Sequence, residues 1–197
     1  MRCIRLLSVV LSTVFLISYC SKDKGDVSQP EASPRAAFEL TSPDFPNNGP
    51  IPREMTCQGK NYSVVLNWKN APRATRAYAL IVDDPDATPV VGYAWVHWIV
   101  YNIPASAVSL PGRMAKSAKV KLPSGETVTQ GHTSWKKPGY GGPCPPKGTG
   151  VHHYIFKLYA LSEDLKLPEG LTKEKLQQAI KGKSLAETQL VGTYEKK

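Results

Sequence analysis

The sequence predicts a mainly β protein, a sandwich with one or two short peripheral helices. Three observations predict it. Apolar, β-branched and aromatic segments of strand length recur along the chain, at 63–68, 77–82, 95–103, 153–161 and 189–194. Proline- and glycine-rich connections separate them, at 43–52, 85–92, 104–112 and 138–150. Only one stretch carries a strong helical pattern, so the alternating βα order of a parallel sheet is missing.

The first strand, SVVLNW, is β-branched and apolar, AYALIV is apolar and ends at Asp83, and WVHWIVYNI is almost continuously apolar, as expected of a strand covered on both faces. HYIFKLYAL and the segment ending at Tyr194 complete the set. In the helix, Thr172 is the expected N-cap and Leu171 can staple onto Leu176. Leu176, Ala179 and Ile180 form the apolar stripe, and Gly182 is placed to end the helix in the left-handed region. Its other positions are charged or polar, so it reads as a packing helix without chemistry.

Ahead of this domain the chain reads differently. Arg2 and Arg5 precede the apolar run Leu6 to Tyr19, which is too short to cross a bilayer as an ordinary helix. It ends at Cys20, followed by Ser-Lys-Asp-Lys. A cysteine there resembles a bacterial lipoprotein signal, in which the thiol is lipidated and becomes the new N-terminus, although Tyr19 stands where that signal usually has a small residue. Ordinary signal cleavage and an uncleaved anchor are the alternatives, and all three export the domain to a membrane-anchored or periplasmic location. Residues 1–19 are therefore expected to be a signal peptide, 20–36 a polar, proline-containing tether, and 37–197 the folded domain.

The formal charge is +9, from 25 basic and 16 acidic residues, and the chain stays basic after loss of Arg2 and Arg5. That balance favours anionic partners. The basic residues are scattered without aromatic interleaving, which speaks against nucleic acid. Cys57 and Cys144 remain after the signal and Cys20 are set aside. In an oxidising compartment they can pair, or both can be buried thiols, and the sequence leaves the two open.

Polar groups collect at the ends of the apolar strands. Asp84 and Asp86 leave the second strand through Asp-Asp-Pro-Asp-Ala-Thr-Pro, where Pro85 holds Asp84 extended. His97 lies inside WVHWIVYN, and by period two it shares a face with Trp95, Ile99 and Tyr101. His152 and Tyr154 alternate with His153, so the first two point inward with Phe156 and Leu158. The loop before them is stiffened by Pro143, Pro145 and Pro146, and its glycines let backbone approach a ligand. Two histidines, one or two carboxylates and a tyrosine can line one concave site, with Trp95, Trp98 and Phe156 as expected walls. Imidazoles held beside Asp would donate as cations to a phosphate or carboxylate. Cofactor and metal are not expected, since HxxxH and HExxH are absent. A G-x-S-x-G elbow is absent too, and Pro-Lys-Gly-Thr at 146–149 has the wrong order for a P-loop.

Asp84-Pro85-Asp86-Ala87, the WVHWIVYNIP strand and GYGGPCPPKGTGVHHY together resemble the phosphatidylethanolamine-binding protein family, most of all its bacterial, Raf kinase inhibitor-like branch. LTSPDFPNNGPIPREMTC at the domain start and LVGTY at its end extend the resemblance over the whole domain. It implies a β-sandwich with a shallow anion pocket formed by Asp84, Asp86, His97, Pro146, His152 and Tyr154, with Gly148 and Gly150 at the rim. It also implies a non-enzymatic binding protein for a small anion or phospholipid headgroup, with a protein partner in some members. An interaction module with a vestigial pocket and a hydrolase using His and Asp are the alternatives. The chain departs from the family pattern at Thr88, inserted before Pro89, and at Ser134-Trp135-Lys136-Lys137. Asn61 to Val65 also lacks the family's Ser-Pro-Pro.

Overall fold

The computed structural model describes residues 36–197. The signal segment, most of the tether and Cys20 lie outside the described residues. Two sheets make the sandwich. The small one has the order β1 (Glu39–Thr41), β3 (Leu66–Lys69), β6 (Ser109–Leu110). In the large one, β2 (Gly49–Pro50) pairs with β10 (Ser184–Tyr194), followed by β9 (His152–Leu161) and β4 (Ala77–Asp84). β5 (Trp95–Pro104), β8 (Thr127–Gln130) and β7 (Lys119–Lys121) complete it. All pairings are antiparallel except β2 with β10.

The main core lies between the sheets. Leu66, Trp68 and Leu110 from the small sheet meet Leu80, Trp98 and Phe156 from the large one. A second cluster covers the opposite face of the large sheet, where Leu176 and Ile180 of α2 (Lys173–Ile180) pack on Ala79, Ile81 and Ile99. β4 is therefore buried on both faces, which is why AYALIV carries no alternation. Thr172 caps α2 by accepting from the Lys175 N–H, and Gly182 follows the helix at φ 75°.

Some boundaries move. The first predicted strand forms only from Leu66, because Ser63 turns away to bond the 113–114 backbone. The last strand starts five residues earlier than expected, at Ser184, carried by its long ladder with β9. The Asp-Pro-Asp connection is not irregular: a 3-10 turn (Pro85–Ala87) leads into α1 (Thr88–Val91), which Gly92 ends at φ 87°.

β4, β5 and β9 are neighbours, and their antiparallel order brings three motif ends together. Asp84 pairs with Trp95, and Asp83 lies between Val96 and Ile155. The three polar segments read separately in the sequence thus converge at one end of the large sheet.

Candidate functional site

His97 does not share a face with Ile99 and Tyr101 as simple alternation predicts. Between Trp98 and Val96, β5 advances two residues while β4 advances one. His97 is the extra residue of this β-bulge, which resets the alternation. Val96 joins Ile99 and Tyr101 against α2. The His97 ring instead packs edge-on against Tyr154, with centroids 5.0 Å apart, and lines a cavity of about 680 Å³.

Asp84, His97, Pro146 and His152 all line this cavity. Asp84 and His152 are almost completely buried, and His152 Nδ1 donates to Asp84 Oδ2 at 2.7 Å. The other carboxylate oxygen accepts from the Ala87 N–H at 3.1 Å, which caps the 3-10 turn. His152 Nε2 lies 3.0 Å from Thr149 Oγ1. The ring is thus held at both nitrogens.

His97 Nδ1 lies 2.7 Å from the carbonyl oxygen of Gly141. A carbonyl only accepts, so Nδ1 carries the hydrogen and Nε2 of the neutral ring is a bare acceptor. Burial drives the pKa of His97 down to about 4, and the Gly141 carbonyl, the Asp84 charge and the Gly142 carbonyl offset only part of this. His97 is therefore neutral near pH 7, not the cationic donor expected from the sequence. The consequence for stability has a definite sign. Between about pH 6.5 and pH 4 the unfolded chain binds a proton that the folded chain refuses, so stability falls as pH falls through that window. The expected loss is roughly 3 kcal/mol. Urea unfolding of the native chain and His97→Gln at pH 7 and pH 4.5 checks it, and the pH dependence must be shallower in the variant.

Tyr154 is buried beneath the His97 ring, and its hydroxyl has no hydrogen-bond partner among the described residues. Burial, with the Asp84 carboxylate adding, pushes its pKa up, so it stays a neutral phenol. It supports the cavity floor without lining it. Asp86 is not brought in either. The 3-10 turn ends the strand alternation after Asp84, and Asp86 turns outward to accept from the N–H and the ring of His153, both at 2.8 Å. Partial burial raises the Asp86 carboxyl, but those hydrogen bonds and the His153 charge outweigh it and hold it below the usual range. Gly148 and Gly150, at φ 81° and 82°, do not line the cavity; Gly148 is exposed and Gly150 half-buried. The N–H groups of Lys147, Gly148 and Gly150 donate to no acceptor among the described residues.

The walls also differ from expectation. Trp95 is one of them, but Trp98 and Phe156 belong to the core between the sheets. Trp135 takes their place. It stands edge-on to Trp95 at 5.2 Å and to His97 at 5.3 Å, and Val90 and Val91 of α1 add an aliphatic side. Gly141 makes this possible, since a Cβ there would lie 2.3 Å from the Trp135 ring. The sequence signal for both new walls was a departure from the family pattern, Thr88-Pro89 in one case and Ser134 to Lys137 in the other. Lys116 and Lys137 bring positive charge to the lining.

The loop bearing Pro145 and Pro146 is anchored at its start. Cys57 and Cys144 form a disulfide, with their Cα atoms 5.4 Å apart. The Cys57 N–H donates to Pro143 O, the Gly142 N–H to Asn61 Oδ1 and the Tyr140 hydroxyl to Met55 O. No group of three or more His, Cys, Asp or Glu suited to a metal occurs among the described residues.

Sheet, anchored loop and cavity together define a β-sandwich binding protein. Residues 41–195 match the family model for phosphatidylethanolamine-binding protein, and the chain belongs to that family. A UPF0098 protein of Aquifex aeolicus is 38% identical over 162 residues, 82% of this chain and 90% of its own. A Mycobacterium tuberculosis protein provisionally named lipoprotein LppC is 40% identical over 169 residues, covering 84% of this chain and 75% of its own. The crystal structure of CT736 from Chlamydia trachomatis, described as a homologue of the same family, superposes with a TM-score of 0.72 at 37% identity. It covers 82% of this chain and 99% of that one. No helix among the described residues is long and apolar enough to cross a membrane.

Proposed function

We propose that this chain is an exported binding protein, tethered to the membrane through Cys20, whose cavity takes a small phosphate- or carboxylate-bearing group with an apolar substituent. The observation that carries this reading is the make-up of the cavity. Its floor holds His97 and the buried Asp84–His152 pair, its walls are Trp95, Trp135, Val90 and Val91, and Lys116 and Lys137 add positive charge to its lining. The lysines suit an oxyanion, as do the free N–H groups of Gly148 and Gly150, which the family resemblance sets at the rim, and an aromatic wall suits an apolar group attached to it. The lipoprotein name of the mycobacterial relative supports the tether. Modulation of a protein partner is a further role open to such a protein, as the resemblance implied.

A hydrolytic reading rests on the Thr149–His152–Asp84 chain of contacts, which has the order of a nucleophile, a base and an orienting acid. The Thr149 hydroxyl, however, also lies 2.8 Å from Pro146 O, which competes with His152 Nε2 for its one proton, and no contact among the described residues places an oxyanion-stabilising donor beside it. Binding is therefore the better reading. Titration calorimetry of the full chain with phenyl phosphate and inorganic phosphate tests it. Both are expected to saturate, with phenyl phosphate at least about tenfold tighter because its ring leaves water against the tryptophans. Absence of saturable heat from both would refute the reading.

A further inference from the structure

The hydrogen-bonding state of His97 restricts which anion this site takes. Gly141 O fixes the hydrogen on Nδ1 at 2.7 Å. The opposite nitrogen, Nε2, has no direct hydrogen bond of its own among the described residues, the Gly142 carbonyl also lies close to the ring, and His97 lines the cavity. The cavity floor therefore presents a lone pair, not an N–H, to whatever enters. Beside it lies Asp84, with both oxygens already accepting. A fully ionised oxyanion oxygen set against Nε2 would meet lone pair with lone pair. An oxygen that still carries hydrogen would donate to it.

We infer that the site selects the singly protonated form of an oxyacid, a phosphomonoester monoanion in preference to a phosphodiester. This deepens the anion-binding reading above and rests on it. In the bound state the P–OH hydrogen lies between the ligand oxygen and His97 Nε2, while the remaining anionic oxygens face Lys116 and Lys137. A phosphodiester has no such hydrogen and must draw a proton from solvent onto His97 to bind equally well. The titratable groups that share the cavity lining with His97 are Asp84 on β4, His152 on β9, and Tyr140, Lys116 and Lys137 from the loops, and Tyr154 of β9 packs on its ring. Tyr154 and Tyr140 stay neutral, both raised mainly by burial. The phosphate can belong to a soluble monoester or to the head of a phosphatidic acid, the shared chemistry being the P–OH group.

The test uses phenyl phosphate and its diester, methyl phenyl phosphate, titrated into the full chain at pH 5 and pH 8 in buffers of different ionisation heat. A phosphomonoester loses its second proton near pH 6, so at pH 8 only about one molecule in a hundred carries it. Expected are proton uptake near zero per phenyl phosphate at pH 5, uptake near one at pH 8, and affinity up to about a hundredfold weaker at pH 8. The diester is expected to bind at least about tenfold more weakly than the monoester at both values. In His97→Gln the amide can supply a donor, so the gap between monoester and diester should close. Short-chain phosphatidic acid and phosphatidylethanolamine, a monoester and a diester, repeat the comparison on lipid heads and separate a lipid source from a soluble one. Equal affinities for monoester and diester, or no proton uptake at pH 8, overturn the inference and leave the anion pocket standing. No saturable binding of any probe at either pH overturns the pocket itself.

Discussion

His152→Ala is expected to lower the unfolding midpoint by roughly 10 °C and to abolish ligand binding in the same protein. The His152 and Asp84 side chains are 2% and 4% exposed, and they meet at 2.7 Å. Removing the imidazole strands a carboxylate in the interior with one remaining donor, the Ala87 N–H. Breaking a buried pair from one side costs about 3–5 kcal/mol. In a domain of this size each kcal/mol is worth about 2–4 °C. The adjacent pair supplies the comparison. His153 and Asp86 meet at a similar distance, 2.8 Å, but are 50% and 41% exposed. His153→Ala should therefore cost at most about 1 kcal/mol, because water screens and replaces the lost contact. Thermal unfolding of the two variants side by side decides the matter. Equal losses would mean that burial of the inner pair contributes nothing special.

The second large effect is expected from the disulfide. Cys57 and Cys144 are separated by 87 residues, so their bond closes almost half the chain into a loop. A cross-link of that span restricts the unfolded state by about 4–5 kcal/mol. The double variant Cys57→Ala, Cys144→Ala should lose most of that stability in urea unfolding, and so should the native chain under a reducing agent. Its folded form should persist in plain buffer, because the three hydrogen bonds between the 55–61 segment and the 140–143 loop do not depend on the sulfurs. A loss below about 1 kcal/mol would mean that the unfolded chain is already compact around these residues.

The architecture was legible from periodicity wherever burial follows strand geometry. AYALIV and HYIFKLYAL became β4 and β9 because uninterrupted apolar runs and strict alternation are each what a two-faced or one-faced strand requires. His152, Tyr154 and His153 took the faces that alternation assigns them. The errors arose where alternation stops. Nothing in WVHWIVYN marks His97 as a bulge residue, since a bulge is a property of the paired strands and not of one segment. Asp86 stands two residues from Asp84 and would share its face in a strand, but the turn beginning at Pro85 rotates it away. Trp135 and Cys57 come from segments far from the strands they meet. Their roles depend on distances that only the folded chain sets. The family motifs, being long and ordered, brought the convergence of three segments into view before any distance was known. They said nothing of which nitrogen of His97 carries its hydrogen.

The bulge at His97 has a consequence for how such a protein can diverge. One inserted residue turns the strand so that Val96, Ile99 and Tyr101 serve the helix side while their neighbour His97 serves the cavity. Substitutions that repack the helix side then alter folding stability without touching the ligand. Substitutions at Trp135 or Val90 in the cavity lining are expected to change what the proposed site binds without loosening that layer. Robustness and recognition are thus encoded in one strand yet are free to evolve apart.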